Sequence, residues 1–129
     1  MKALVPLAAL PVAAACAAAS LPDSDALSAG ERAYQKCYAC HATEPGKHDL
    51  AGPSLHGIVG RPVAAVPGVD YSPALRHFAA GNPVWTKELI DRFAADPEAL
   101  VPGTSMAFHG IADAGERKVL IDYLESLGR

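Results

Sequence analysis

Aromatic side chains are scarce in this sequence. They make up 6% of the 129 residues, with one Trp and three Phe. A chain of this length forms one domain around one core. Because aromatic residues contribute the largest buried areas to a core, aliphatic residues must supply most of the interior here. A large apolar cofactor bound inside the protein would relieve that shortage.

Cysteine is rarer still, with only Cys16, Cys37 and Cys40 in the chain. A structural zinc site would need further ligands at finger-like spacing, and there is no second cysteine pair to supply them. A thioredoxin-like dithiol would need a βαβ setting, and the sequence has no convincing strand pattern. A zinc site and a redox-active dithiol therefore remain alternatives for Cys37 and Cys40, but both are disfavoured.

An excess of positive charge is also missing. The chain has 11 Lys and Arg against 14 Asp and Glu, a formal net charge of −3. Proteins that bind nucleic acid carry clustered basic residues that neutralise phosphates. This balance argues against a nucleic-acid partner.

Charge is absent from a long stretch near the start. Lys2 is followed by an uncharged, alanine-rich run over residues 3 to 22, which is the pattern of a secretory signal peptide. Pro6 and Pro11 disturb a helix there and the run is barely long enough to cross a bilayer, so a membrane-spanning helix is disfavoured. We therefore predict that the protein is exported to the periplasm.

Two kinds of processing fit this leader. Cleavage after Ala19 would make residues 1–19 a signal peptide and residues 20–129 the mature domain. A lipoprotein signal of residues 1–15 would instead leave Cys16 as a lipidated first residue and anchor the protein to a membrane. In either case one cysteine pair remains, in an oxidising compartment.

Helix start and stop signals predict an all-α chain. The predicted helices are one capped by Asp25 or Ser28, one from Ser72-Pro73 to Gly81, one from about Thr86 to Ala95, and one from Asp113 to Gly128. Between residues 42 and 69, glycine and proline interrupt any periodicity, which predicts a long structured loop. Such a loop in a small domain needs something to wrap around.

The first helix carries a glycine on its apolar face. Leu27, Gly30, Tyr34 and Cys37 are predicted to share that face. Because glycine lowers helix propensity, we expect Gly30 to serve the close approach of another helix.

The sequence CYACH at residues 37–41 has the spacing of a haem attachment site. The sulfurs of Cys37 and Cys40 can each add to a vinyl group of the porphyrin, and His41 is then carried to the iron as its axial ligand. This pattern predicts one haem c attached by two thioethers.

A six-coordinate haem needs a second axial ligand. Met106 is the only methionine outside the leader, and it lies in the loop-forming sequence PGTSM at residues 102–106. A thioether is a soft ligand that favours ferrous iron and raises the reduction potential. We predict that His41 and Met106 are the two axial ligands.

Taken together, these motifs resemble a class I cytochrome c over nearly all of residues 25 to 128. The matching residues are Cys37, Cys40 and His41, the turn Gly52-Pro53-x-Leu55-x-Gly57, Gly60-Arg61, Tyr71, Trp85 and Pro102-Gly103-Thr104-x-Met106. The resemblance implies a small all-α cytochrome c fold, in which helices and long loops wrap around one covalently bound haem.

The resemblance also implies roles for residues around the haem. The Pro53 carbonyl is expected to accept the proton on the far nitrogen of His41. A buried haem propionate needs hydrogen-bond donors to match its charge. The donors implied for it or its neighbours are Arg61, Tyr71, Trp85 and Thr104. Gly30 and Tyr123 are expected to meet where the first and last helices cross, and His48 to tie one loop to another.

The chain departs from the family pattern near the methionine loop. Glu98, Ala99 and Ser105 stand where relatives that dock on acidic partners often carry lysines, which weakens the case for a docking face ringed by lysines. Leu75 replaces a polar residue common near the haem interior. Three further histidines are expected to be exposed: His56, His77 and His109.

The function implied by the resemblance is one-electron transfer by a haem that cycles between Fe(III) and Fe(II), without substrate turnover. The donor and acceptor would be redox proteins, such as membrane-bound respiratory complexes or a dehydrogenase. One alternative is a haem subunit of a dehydrogenase or oxidase complex, lipid-anchored through Cys16. The other is a ligand-binding or peroxidase-like haem enzyme, which needs an open iron position that Met106 argues against.

Overall fold

The computed structural model describes residues 27–129 and shows helices joined by long loops. The helices are α1 (Ala29–Tyr34), α2 (Pro73–Gly81), α3 (Lys87–Ala95), α4 (Pro97–Leu100) and α5 (Ala114–Leu127). Over those residues the only β pairing is an isolated antiparallel bridge between Pro62 and Val84. The predicted all-α architecture is therefore confirmed there. The predicted leader of residues 1–19, Cys16 and the alternative cap Asp25 lie outside the described residues.

The four predicted helices begin where a side chain caps the first turn. At α1, Ser28 Oγ accepts a hydrogen bond from the Glu31 N–H at 3.2 Å, and the Glu31 carboxylate accepts from the Ser28 N–H at 2.7 Å. This reciprocal arrangement is a capping box. The other caps have the same spacing: Ser72 to Leu75, Thr86 to Leu89 and Asp113 to Glu116. Donor and acceptor are three residues apart each time, so these starts could be located from the sequence.

Helix α4 was not predicted from the sequence. Asp96 is extended, ends α3, and caps α4 by accepting a hydrogen bond from the Ala99 N–H at 3.0 Å. Pro97 occupies the first position of α4, where its missing N–H costs nothing. The Asp-Pro pair that ends one helix therefore also starts the next.

Helix α1 is shorter than the predicted apolar stripe. It ends at Tyr34, and Cys37 lies in the turn beyond it, with its N–H donating to the Tyr34 carbonyl at 2.8 Å. Leu27 precedes the cap and its side chain is 46% exposed. The prediction that Leu27 shares the buried face is wrong, because helical periodicity does not continue through the extended cap residue.

Helices α1 and α5 cross in close contact at Gly30. A Cβ atom added at Gly30 would lie 2.8 Å from the Val119 carbonyl oxygen and would overlap the Tyr123 side chain. The rings of Tyr34 and Tyr123 pack beside this point with their centroids 5.8 Å apart. The predicted meeting of Gly30 and Tyr123 is confirmed.

The interior is mainly aliphatic, as the composition predicts. Helix α3 packs on α5, and the cluster continues into the loops. Its buried aliphatic members are Ile58, Val63, Ile90, Ile111, Leu120, Ile121 and Leu124, joined by Tyr34 and Trp85. Among the helices of residues 27–129, none combines the length and apolar character needed to cross a lipid bilayer.

The long loop between α1 and α2 is held by polar contacts. Ser54 is fully buried; its Oγ donates to the Glu44 carbonyl at 2.6 Å, and its N–H donates to His48 Nδ1 at 3.0 Å. The His48 contact joins two points of this one loop, and the expected tie to another loop stays a prediction. The Trp85 N–H donates to the Arg61 carbonyl at 2.9 Å, which joins this loop to the segment before α3.

The helix crossing yields a stability prediction. Gly30→Ala is expected to lower the free energy of unfolding by about 1 to 3 kcal/mol, because the added methyl group has no space. Gly81→Ala is the matched control, since nothing lies within 4 Å of the carbon added there, and we expect a change below about 1 kcal/mol. Chemical denaturation of both holoproteins measures the difference. Equal stability in the two variants would contradict the close crossing.

Candidate haem-binding site

A cavity of about 360 Å³ lies between the loops that follow α1 and α4 and the inner faces of α2, α3 and α5. Its wall includes every site residue predicted from the sequence. These residues are Cys37, Cys40, His41, Pro53, Arg61, Tyr71, Trp85, Thr104 and Met106. Much of the remaining wall is apolar, with Leu55, Leu75, Phe93, Phe108, Ile111 and Leu120 among its members. Residues separated by almost 70 positions in the sequence therefore face one enclosed space.

The His41 ring is oriented by the turn that follows it in the chain. Its Nδ1 lies 2.7 Å from the Pro53 carbonyl oxygen. A carbonyl oxygen only accepts hydrogen bonds, so Nδ1 carries the proton and Nε2 keeps a lone pair. A Cβ atom added at Gly52 would lie 2.8 Å from His41 Nδ1 and 2.9 Å from Nε2. Glycine at position 52 therefore leaves the ring the space that it occupies.

The surroundings of His41 favour its neutral form. Burial lowers its pKa, the hydrogen bond to Pro53 raises it, and the nearby positive charge of Arg61 lowers it again. The net direction is downward. A neutral imidazole with a free Nε2 is the form that binds a metal ion.

Cys37 and Cys40 lie in the turn between α1 and His41. The two cysteines form no disulfide with each other; Cys37 is half-buried and Cys40 is exposed. Burial raises the pKa of Cys37 to about 11. The His41 N–H donates to the Cys37 carbonyl at 3.0 Å and the Gly52 N–H donates to the Cys40 carbonyl at 2.8 Å. This turn therefore presents both sulfurs and the imidazole to the same cavity.

Arg61 is tied to the loop that carries Pro53. Its Nη1 donates to the Ser54 carbonyl at 2.7 Å and its Nη2 donates to the His56 carbonyl. Burial lowers the pKa of Arg61. His56 itself is half-buried, and its N–H donates to Ser54 Oγ at 3.2 Å. The prediction that His56 is exposed is therefore wrong, because the Arg61 bonds draw it inward, whereas His77 and His109 are exposed as expected.

Tyr71 and Trp85 also line the cavity wall. The Tyr71 hydroxyl oxygen accepts from the Val66 N–H at 3.3 Å, which leaves its own proton to donate. Trp85 is buried, with its ring centroid 6.4 Å from that of Phe78 and 5.2 Å from that of Phe93. These contacts fix the indole in place at the cavity wall.

Met106 is half-buried in the loop between α4 and α5 and faces the same cavity. Its N–H donates to Thr104 Oγ1 at 3.3 Å. The Thr104 N–H in turn donates to the Val101 carbonyl at 3.0 Å. Thr104 therefore shapes the loop directly before the thioether.

The lining fits a haem. The wall combines apolar side chains with two thiols, an imidazole nitrogen, a thioether sulfur and four donors suited to carboxylates. Within residues 27–129 no group of three or more His, Cys, Asp or Glu side chains is placed to hold a metal ion by itself. The donor set is thus the one expected for iron held in a porphyrin.

Sequence reasoning missed part of this site. Ser54 gave no signal, although it is buried at the centre of the loop network. Phe108 and Ile111 also line the cavity, and their place two and five residues after Met106 is the only pattern that could have indicated them. Leu120 of α5 also lines the cavity and was not predicted as a cavity residue.

Comparisons with known proteins agree with this site. No family model matches the chain. It is 40% identical over 105 residues to cytochrome c type-1 of Ascaris suum, covering 81% of this chain and 90% of that protein. It is 38% identical over 82 residues to cytochrome c-550 of Ancylobacter novellus, covering 64% of this chain and 77% of that one. The solved structure of cytochrome c2 from Rhodospirillum centenum superposes with a TM-score of 0.71 at 30% identity, over 78% of this chain and 96% of that one.

These relatives and the cavity define the class of protein. The chain belongs to the class I cytochromes c. It has the small all-α fold of that family, and its cofactor is a single covalently attached haem c.

Proposed function

We propose that this protein is a one-electron carrier that shuttles electrons between redox proteins and has no substrate turnover of its own. The observation that carries the proposal is the shared cavity wall, in which His41, fixed by Pro53, and Met106 both face the space that fits the haem. If His41 and Met106 both held the iron, no position on it would be left for a substrate.

Each residue at the cavity has a distinct task in this proposal. The bound haem supplies an iron that alternates between Fe(III) and Fe(II). Cys37 and Cys40 hold the porphyrin through thioethers, while Pro53 keeps the His41 proton on Nδ1 so that Nε2 can bind. Met106 contributes a soft sulfur that favours the reduced state. Because the ligands are held by the surrounding structure, little rearrangement accompanies a change in charge.

The polar wall residues would match the charge of a buried haem propionate. Tyr71 retains a hydroxyl proton to donate, and Arg61 is already oriented by two carbonyl groups. Trp85 and Thr104 face the same cavity. A carboxylate withdrawn from water without such donors would be costly to bury.

We also propose that the protein works outside the cytoplasm. The motivation is the charge-free leader, which would be removed after Ala19 or converted to a lipid anchor at Cys16. Removal of Lys2 leaves 10 basic and 14 acidic side chains, a formal charge of −4. The redox partners would then be membrane-bound complexes or a dehydrogenase at the same side of the membrane.

The surface beside the methionine loop predicts how the carrier docks. Glu98, Ala99 and Ser105 are exposed there, so these three positions place no cation beside the loop. We expect electron exchange with native membranes to slow by less than about tenfold between low and physiological salt, since strong electrostatic steering gives larger changes. Stopped-flow kinetics at several ionic strengths measures the slope. Ser105→Lys serves as the comparison, because an added cation should steepen the response to an acidic partner; a steep slope in the wild type would contradict this prediction.

Covalent attachment predicts the mass of the native protein in denaturing acid. The mature chain is expected to retain one haem and to begin at Ser20, or at an acylated Cys16 if the lipoprotein signal is used. A Cys37→Ser, Cys40→Ser double variant has no sulfur to form a thioether and should release its haem into acidified organic solvent. Intact-mass spectrometry and solvent extraction measure both properties. Extraction of haem from the wild type, or a mass that includes Met1, would contradict the assignment.

Replacement of Met106 tests the axial assignment. Met106→Ala is expected to open a coordination position to carbon monoxide and to lower the reduction potential, because the soft ligand is lost; each step of about 59 mV is a tenfold change in the redox equilibrium. The protein should stay folded and coloured through its thioethers. Carbon monoxide titration and potentiometry measure the two effects. Rapid carbon monoxide binding by the wild type would favour the enzyme alternative, and an unchanged potential in the variant would mean that another residue, such as His109, holds the iron.

A further inference from the structure

Arg117 lies in the first turns of α5 and bonds two other segments of the chain. Its side chain is only 13% exposed. Its Nε donates to Asp91 Oδ1 on α3 at 2.7 Å, and its Nη1 donates to the carbonyl oxygens of Ile111 at 2.8 Å and Ala112 at 2.9 Å. Ile111 and Ala112 lie at the end of the loop between α4 and α5, and this loop carries Met106. One guanidinium group therefore joins α3, α5 and the end of the methionine loop.

Two backbone contacts fix the same end of the loop to α3. The Ile111 N–H donates to the Ala94 carbonyl at 2.8 Å. Gly110 has φ +88°, in the left-handed region, and a Cβ atom added there would lie 2.8 Å from the carbonyl carbon of Ala95. Residues 110–112 are thus held against α3 from one side by the backbone and from the other by Arg117.

The beginning of the loop has its own attachments. The Val101 N–H donates to the Pro97 carbonyl at 2.9 Å, and the Gly103 N–H donates to Glu98 Oε1 at 3.0 Å. Over residues 27–129, no backbone-to-backbone hydrogen bond involves residues 107–109. Backbone hydrogen bonds therefore hold this loop on both sides of residues 107–109 but not within them, where Phe108 packs against the hydrophobic core.

From this geometry we infer that Arg117, oriented by Asp91, is a positioning residue that keeps the Met106 loop closed. The inference rests on the proposed function, in which Met106 is an axial ligand of the iron. Hydrogen bonds from a charged donor are stronger than neutral ones, and loss of one partner leaves the other uncompensated. A planar guanidinium can bond a carboxylate and carbonyls at once, whereas a lysine ammonium at the end of a flexible stem lacks that fixed geometry.

Three single variants of the holoprotein test this inference. Arg117→Lys keeps the charge but loses the planar fork, and Asp91→Asn keeps the size of the side chain but removes the charge that orients Arg117. Lys87→Gln is the control, because Lys87 also joins α3 to α5, through Glu125 at 2.7 Å, but contacts nothing in the methionine loop. The measurements are the carbon monoxide association rate of the reduced protein, the absorption band of the iron–thioether bond in the oxidised protein, and the thermal unfolding midpoint.

We expect Arg117→Lys and Asp91→Asn to bind carbon monoxide at least about tenfold faster than the wild type, since the rate scales with the fraction of molecules in which the loop is open. The iron–thioether band should weaken in both. Lys87→Gln should match the wild type in both measurements even if its unfolding midpoint falls. That pattern would separate positioning of Met106 from a general loss of stability.

Other outcomes would overturn the inference. Unchanged carbon monoxide rates and an unchanged band in both Arg117→Lys and Asp91→Asn would mean that the loop stays closed without this contact. An equal gain in Lys87→Gln would assign the effect to looser packing of α3 on α5. If the wild type itself lacked the iron–thioether band, the proposed function would fail first, and this result is distinguishable because it appears before any substitution is made.

Discussion

The structure depends on enclosing a large apolar cofactor with a small chain. The cavity of about 360 Å³ is bounded by side chains that would otherwise form the centre of the core. Protein interiors are close-packed, so side chains around such a space lack partners unless a cofactor fills it. Enclosing the haem therefore accounts both for the long loops, which surround the cavity, and for a core with few aromatic residues.

Two arginines hold the two loops that approach the cavity. Arg61 donates to the carbonyls of Ser54 and His56, in the loop that also contains Pro53. Arg117 donates to the carbonyls of Ile111 and Ala112, at the end of the loop that contains Met106. In each case a guanidinium donates hydrogen bonds to backbone carbonyls of a loop, which have no helical hydrogen bond. The loops that carry Pro53 and Met106 can thus be irregular in path and still fixed in position.

Much of the fold was predictable because its signals are local. Ser28, Ser72, Thr86 and Asp113 each cap a helix through a residue three positions away, and a pattern of that length can be recognised in the sequence. Errors arose where local patterns overlap or stop. Asp96 both ends α3 and caps the start of α4. Leu27 has the spacing of the apolar face of α1, but it lies before the cap residue Ser28 and is therefore outside the helix.

The sequence by itself determined the chemistry of the site. Cys37, Cys40 and His41 are neighbours in the chain, so their spacing alone predicts haem attachment. Met106 is the only methionine outside the predicted leader. Only the tertiary structure decided how these groups are held. Ser54 is buried among three loop segments, and Arg117 reaches Asp91 across 26 residues. A hydrogen bond between distant residues depends on how helices and loops pack, and no short sequence pattern records that packing.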